Sequence, residues 1–212
     1  MKKRLHDKKA GIAILIALIA ISLAEIIYRA AAIGKAVLAT SNLGEQLAVI
    51  ALAVTILVLT VKGKDRACYI CYGAWIGYFV LDQLFELPGQ LITVVSALAQ
   101  PNAWESAMII RNIGLIVVPL SYICIVAIGA LLVEYMDDGS IYNRAFNGFC
   151  AAALVLLTIS TVVSVYNIFR GFPADLMLLV FHNLYRGTMV FLFAFFAYDS
   201  AKMQLAKTDL TK

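Results

Sequence analysis

Three pairs of ionisable residues stand out for the chemistry they suit: Glu25 with Arg29, Asp82 with Glu86, and His182 with Arg186. The members of each pair are four residues apart, which on a helix puts them on one face. Carboxylates hold cations or protons, an imidazole relays protons, and a guanidinium clamps an anion. All six lie inside apolar stretches. The last such stretch, Leu176 to Tyr198, reads LMLLVFHNLYRGTMVFLFAFFAY and carries His182, Asn183 and Arg186 within it. An arginine near mid-membrane is unfavourable by roughly 2.5 to 3.5 kcal/mol on insertion scales, and such a residue normally faces the bundle interior and has a partner.

The elements that must position these residues follow from composition and run length. The 212 residues are 63% hydrophobic and 14% charged, with a mean hydropathy of +0.90. Soluble domains carry about 25% charged residues. The missing charges leave continuous apolar runs of spanning length, which excludes the alternating ten-residue segments of a closed barrel. Backbone groups in lipid must be satisfied internally, so these runs are helices. The expected fold class is all-α, a polytopic bundle of about six transmembrane helices in a single domain over residues 1–212.

The runs predict spans at Ala10–Ile33, Gln46–Val61, Ala67–Leu87, Arg111–Val133, Arg144–Ile168 and Leu176–Tyr198. Pro88-Gly89 is expected to end the third. Gln90–Gln100 is too short to cross and reads as a short interfacial or re-entrant helix between spans three and four, closed by Pro101-Asn102, with Trp104 in the interfacial belt. Pro119 is a possible kink in span four. Asp137-Asp138-Gly139-Ser140 and Gly171-Phe172-Pro173 read as turns. The basic start MKKRLHDKK before GIAILIALIAISLA has the make-up of a signal peptide, and Ala30-Ala31-Ala32 mimics a cleavage site. We read the segment as retained, forming the first span. Ala13, Ala17, Ala20 and Ala24 form a small-residue stripe that suits close packing, within the bundle or against another subunit.

Orientation follows from the basic residues. One set of loops collects Lys2, Lys3, Arg4, Lys8, Lys9, Lys62, Lys64, Arg66, Arg144, Lys202, Lys207 and Lys212, twelve in all. The other collects Lys35, Arg111 and Arg170, and Arg29 and Arg186 lie within spans, completing the seventeen. Both termini are therefore expected in the cytoplasm.

At about 1.5 Å rise per residue, the three pairs fall between mid-membrane and the outer face. Two share a pattern: Asp82-Gln83-Leu84-Phe85-Glu86 and His182-Asn183-Leu184-Tyr185-Arg186 are each ionisable, amide, leucine, aromatic, ionisable. The spans run in opposite directions, so Asp82 and Arg186 form the deeper level and Glu86 and His182 the shallower. Spans three and six are predicted neighbours, with Asp82 bridging Arg186 directly or through water. Tyr28, Gln83, Arg111, Asn112, Tyr166, Asn167 and Asn183 are further polar groups at similar depth. The set fits either a self-satisfied ion-pair network or a solute or ion site.

Catalytic signatures are weak. The histidines are His6 and His182 alone, and no H-E-x-x-H, G-x-S-x-G or P-loop occurs. Cys68 and Cys71 make a C-x-x-C next to the basic stretch Lys62–Arg66. They read as small residues in a packed helix, with no metal and no obligatory disulfide, since no histidine stands at that depth. Asp137-Asp138 reads as a solvated turn. No cofactor and no nucleic-acid partner is expected; the partners are the lipid bilayer and a membrane or cytoplasmic subunit or a second copy. The function expected first is a small-solute binding or transport subunit with a polar site in the outer half. Its overall shape is that of substrate-capture subunits of vitamin uptake systems, a likeness of architecture that rests on no motif. The alternatives are a non-transporting sensor or assembly partner whose ion pairs are structural, and an ion or proton pathway through Glu25, Asp82 and His182.

Overall fold

The computed structural model describes residues 2–32, 41–101, 106–138, 144–170 and 175–210. Six helices follow in chain order: α1 Lys2–Ala32, α2 Ser41–Val61, α3 Asp65–Leu98, α4 Ser106–Asp138, α5 Arg144–Phe169 and α6 Asp175–Leu210. No strand occurs among the described residues. Stretches in α1, α2, α4, α5 and α6 are long and apolar enough to cross a membrane. α3, with its tyrosines, Asp82 and Glu86, is not one of these five.

The chain divides into two compact units, Met1–Trp75 and Ile76–Lys212. In the first, α1 packs on α2. The buried seam is Leu15, Leu18, Ser22, Glu25 and Arg29 on α1, and Gln46, Val49, Ala53 and Ile56 on α2. These alternate in steps of three and four, the spacing that keeps one stripe facing a partner helix. In the second, α5 packs on α4 and α6, and α4 on α6. The buried face of α5 is Phe146, Cys150, Ala153, Leu157, Ser160, Ser164 and Asn167, the same spacing from end to end.

The outer surface is as apolar as the interior, and the interior holds buried polar residues as well. Ile16, Ile27, Ile70, Phe85, Val162 and Phe169 are exposed, while Ser160, Ser164, Asn167, Gln83 and Asn183 are buried. Lipid is as apolar as any core, so small and polar residues go where helices meet. Hydroxyls on the apolar surface return to their own backbone: Thr158 donates to the Leu154 carbonyl at 2.7 Å and Thr188 to that of Leu184 at 2.8 Å.

Two glycines set the helix spacing in the second unit. A Cβ on Gly129 of α4 would stand 2.6 Å from Val80 Cγ2 of α3. One on Gly114 would stand 2.8 Å from Val163 Cγ1 of α5. Gly63 does a different job. It ends α2 with φ of 68°, and its amide donates to the Thr60 carbonyl while Lys64 N–H donates to that of Leu59. This is the Schellman arrangement, in which glycine takes the left-handed position that a Cβ disfavours.

Several expected boundaries are corrected. Pro88 lies inside α3, which continues for ten further residues to Leu98. Gln90–Leu98 is therefore no separate short helix. Proline removes one backbone bond, and the i→i−4 bonds of the turns on either side carry the helix across it. α2 starts at Ser41, five residues before the expected span, and is 21 residues long. Asp137 and Asp138 are the last two residues of α4. Trp104, Gly139-Ser140 and Gly171-Phe172-Pro173 lie outside the described residues.

Candidate functional site

Arg186 is the centre of the polar cluster in the second unit. It is only 7% exposed. Its Nε donates to Gln83 Oε1 of α3 at 3.0 Å. Its Nη2 donates to the Tyr122 hydroxyl of α4, and the guanidinium lies over the Tyr122 ring, 4.3 Å from the centroid. The Tyr122 hydroxyl in turn donates to Glu86 Oε2 at 2.6 Å. That same oxygen is 3.6 Å from Arg186 Nη2. Gln83 Nε2 donates to Asp82 Oδ2 at 3.0 Å. One arginine thus ties three helices together through an amide, a phenol and a carboxylate. A buried guanidinium needs such partners, because its donors have no water to fall back on.

The level-by-level pairing expected between spans three and six is changed in detail. α3 and α6 are neighbours, with Phe79 and Tyr185 edge to face at 5.6 Å. The carboxylate within ion-pair distance of Arg186, however, is Glu86. Asp82 reaches the guanidinium through the Gln83 amide. The reason is side-chain direction. Helical side chains lean toward their own N-terminus, and α3 and α6 run antiparallel. Arg186 and Glu86 therefore lean toward each other and close a gap that their backbone positions leave open.

The cluster is open at one end. The Glu86 side chain is 48% exposed, whereas that of Arg186 is 8% exposed. Asp82 and His182 are half-buried. Away from Arg186, Asn183 of α6 is 2% exposed and its Nδ2 donates to Ser160 Oγ of α5 at 2.9 Å. Its Oδ1 has no hydrogen-bond partner among the described residues. Asn112 of α4 and Asn167 of α5 are also buried. Arg111 is exposed, and so is Tyr166, whose ring lies under Arg170 at 5.3 Å.

The first unit holds the other pair. Glu25 is fully buried. Its Oε1 accepts from Arg29 Nε at 2.9 Å and Nη2 at 2.6 Å, the i,i+4 contact that the spacing requires. Its Oε2 accepts from Gln46 Nε2 of α2 at 3.0 Å. Tyr28, on the same helix, is half-buried. The four cysteines are free thiols, and Cys68 Sγ lies 3.5 Å from Thr60 Oγ1.

Sequence reasoning missed Tyr122, Gln46 and Ser160. None is ionisable near neutral pH, so none stands out in an apolar run. The usable signal is depth: Tyr122 and Gln46 sit at the level of a charged residue on another helix, and Ser160 at that of the Asn183 amide.

The helices and their lipid-facing apolar surfaces define a multi-pass membrane protein. No protein-family model, curated protein or solved structure matches this chain.

Proposed function

We propose that the chain is a small-solute binding or transport subunit of six spans, with both termini cytoplasmic and a polar site in the outer half of α3, α4 and α6. The observation that carries this reading is the uneven burial of the Arg186–Glu86 pair. The arginine is enclosed, while the carboxylate side chain is 48% exposed. A half-exposed carboxylate does not rest against hydrocarbon, so its open side meets water or a ligand. Asp82, one turn deeper and half-buried, extends the acidic face inward. α3 serves as the sixth span. At about 1.5 Å per residue its 34 residues make roughly 50 Å, enough to cross and continue beyond the roughly 30 Å hydrocarbon layer.

The test is labelling from outside. With the four native cysteines replaced by alanine, Glu86→Cys and Asp82→Cys are treated with a membrane-impermeant thiol reagent. A water-filled site gives modification at both, faster at 86. No modification at 82 would overturn the solute-site reading.

One observation favours the structural alternative, a sensor or assembly partner. Arg186 is met by protein groups from two other helices, as a self-sufficient clamp requires. That reading calls for modification at 86 alone.

A further inference from the structure

We propose that the turn between α2 and α3 binds the headgroup of an anionic phospholipid. The turn is a built feature. The Schellman arrangement at Gly63 locks it, and Cys68 N–H returns to the Lys64 carbonyl at 3.1 Å as α3 begins. Lys64 and Arg66 are thereby held close together on a fixed backbone, both exposed. With Gly63, Ala67 and Ile70 they line a surface depression of about 510 Å³. Lys62 is exposed beside it, so the turn carries three basic residues against the single acid Asp65.

The ligand class follows from what surrounds the cations. The apolar stretch of α2 ends at Val61, so the depression sits at a membrane boundary. Ile70 in its lining is 64% exposed, and Val61 at the end of α2 is 75% exposed. Two cations above an exposed aliphatic shelf match a molecule with an anionic head and a hydrocarbon tail. A free phosphate would use the cations and leave the shelf bare. Anionic lipids attract basic residues next to a membrane span, and guanidinium and ammonium groups are suited to phosphate oxygens. This assignment is independent of the Arg186 site.

The experiment uses the full chain reconstituted into nanodiscs of equal parts phosphatidylglycerol and phosphatidylcholine, then released into detergent. Native mass spectrometry reads the retained lipid. Wild-type protein is expected to retain phosphatidylglycerol over phosphatidylcholine by about tenfold or more. Lys64→Gln with Arg66→Gln should bring the ratio close to parity. Lys64→Arg with Arg66→Lys should keep it, as should the control Lys9→Gln. Ile70→Asn should reduce retention of the lipid with both charges in place. Equal retention of the two lipids by wild type, or full preference in the double glutamine variant, overturns the proposal. So does displacement by inorganic phosphate beyond that by chloride at equal ionic strength, which would mark a free-anion site.

Discussion

The partners of Arg186 rank the residues around it in an order that charge alone would not suggest. Gln83 Oε1 and the Tyr122 hydroxyl take the guanidinium donors directly. Asp82 is one hydrogen bond removed, on the far side of the Gln83 amide. A buried donor left without an acceptor costs about 1 to 3 kcal/mol, and more when charged. Gln83→Leu and Tyr122→Phe should therefore each destabilise the protein by about that amount, measured by reversible SDS unfolding in mixed micelles. Asp82→Asn keeps an acceptor for Gln83 and should cost less than either. A larger loss for Asp82→Asn than for Gln83→Leu would mean that the acid, not the amide, holds the arginine. Arg186→Met removes the charge that all these groups serve. It should lower the cost of a second change at Gln83, because the two act on one bond.

At the scale of the helices, contact distance depends on side-chain size where they cross. Gly129 of α4 meets the branched Cβ of Val80 on α3, whose γ carbons would lie 2.6 and 2.8 Å from an added methyl. A β-branched side chain has little rotamer freedom in a helix, so the helices must separate. Gly129→Ala should cost about 1 to 3 kcal/mol through overpacking, outweighing a helix-propensity gain of about 1 kcal/mol. Gly148 of α5 has open space around its Cβ position. Gly148→Ala should be neutral or stabilising by up to that gain. Equal effects at the two positions, read in the same SDS titration, would contradict the close α3–α4 approach. The continuity of α3 through Pro88 is checked by spin labels at positions 84 and 98. An unbroken helix puts their backbones roughly 21 Å apart; a re-entrant fold at Pro88 gives a clearly shorter distance.

For the whole molecule, the exposed apolar side chains and the long helices make the bilayer its solvent. Basic residues then set its orientation. In a cysteine-free background, Lys64→Cys should be protected from an impermeant reagent applied outside intact cells, and Lys35→Cys should react. The opposite pattern would invert the depth assigned to Asp82 and Arg186 and move the polar site to the inner face.

Run length and residue spacing are local properties, and they determined what is local here. They located the helices apart from the stop expected at Pro88, which α3 passes through, put Glu25 and Arg29 on one face of α1, and marked Arg186 as a residue in need of partners. They did not determine which partners. Choosing Gln83, Tyr122 and Glu86 over Asp82 depends on how α3, α4 and α6 are rotated and offset. In water the polar side of a helix reports its rotation. In lipid both sides are apolar, so that signal is nearly absent: the buried face of α5 includes Leu157 and its exposed face Val155 and Val162. Rotation is then settled by pairwise fits such as Gly129 against Val80, and by the lean of antiparallel side chains toward each other. Those are relations between distant parts of the chain, and only the tertiary structure decided them.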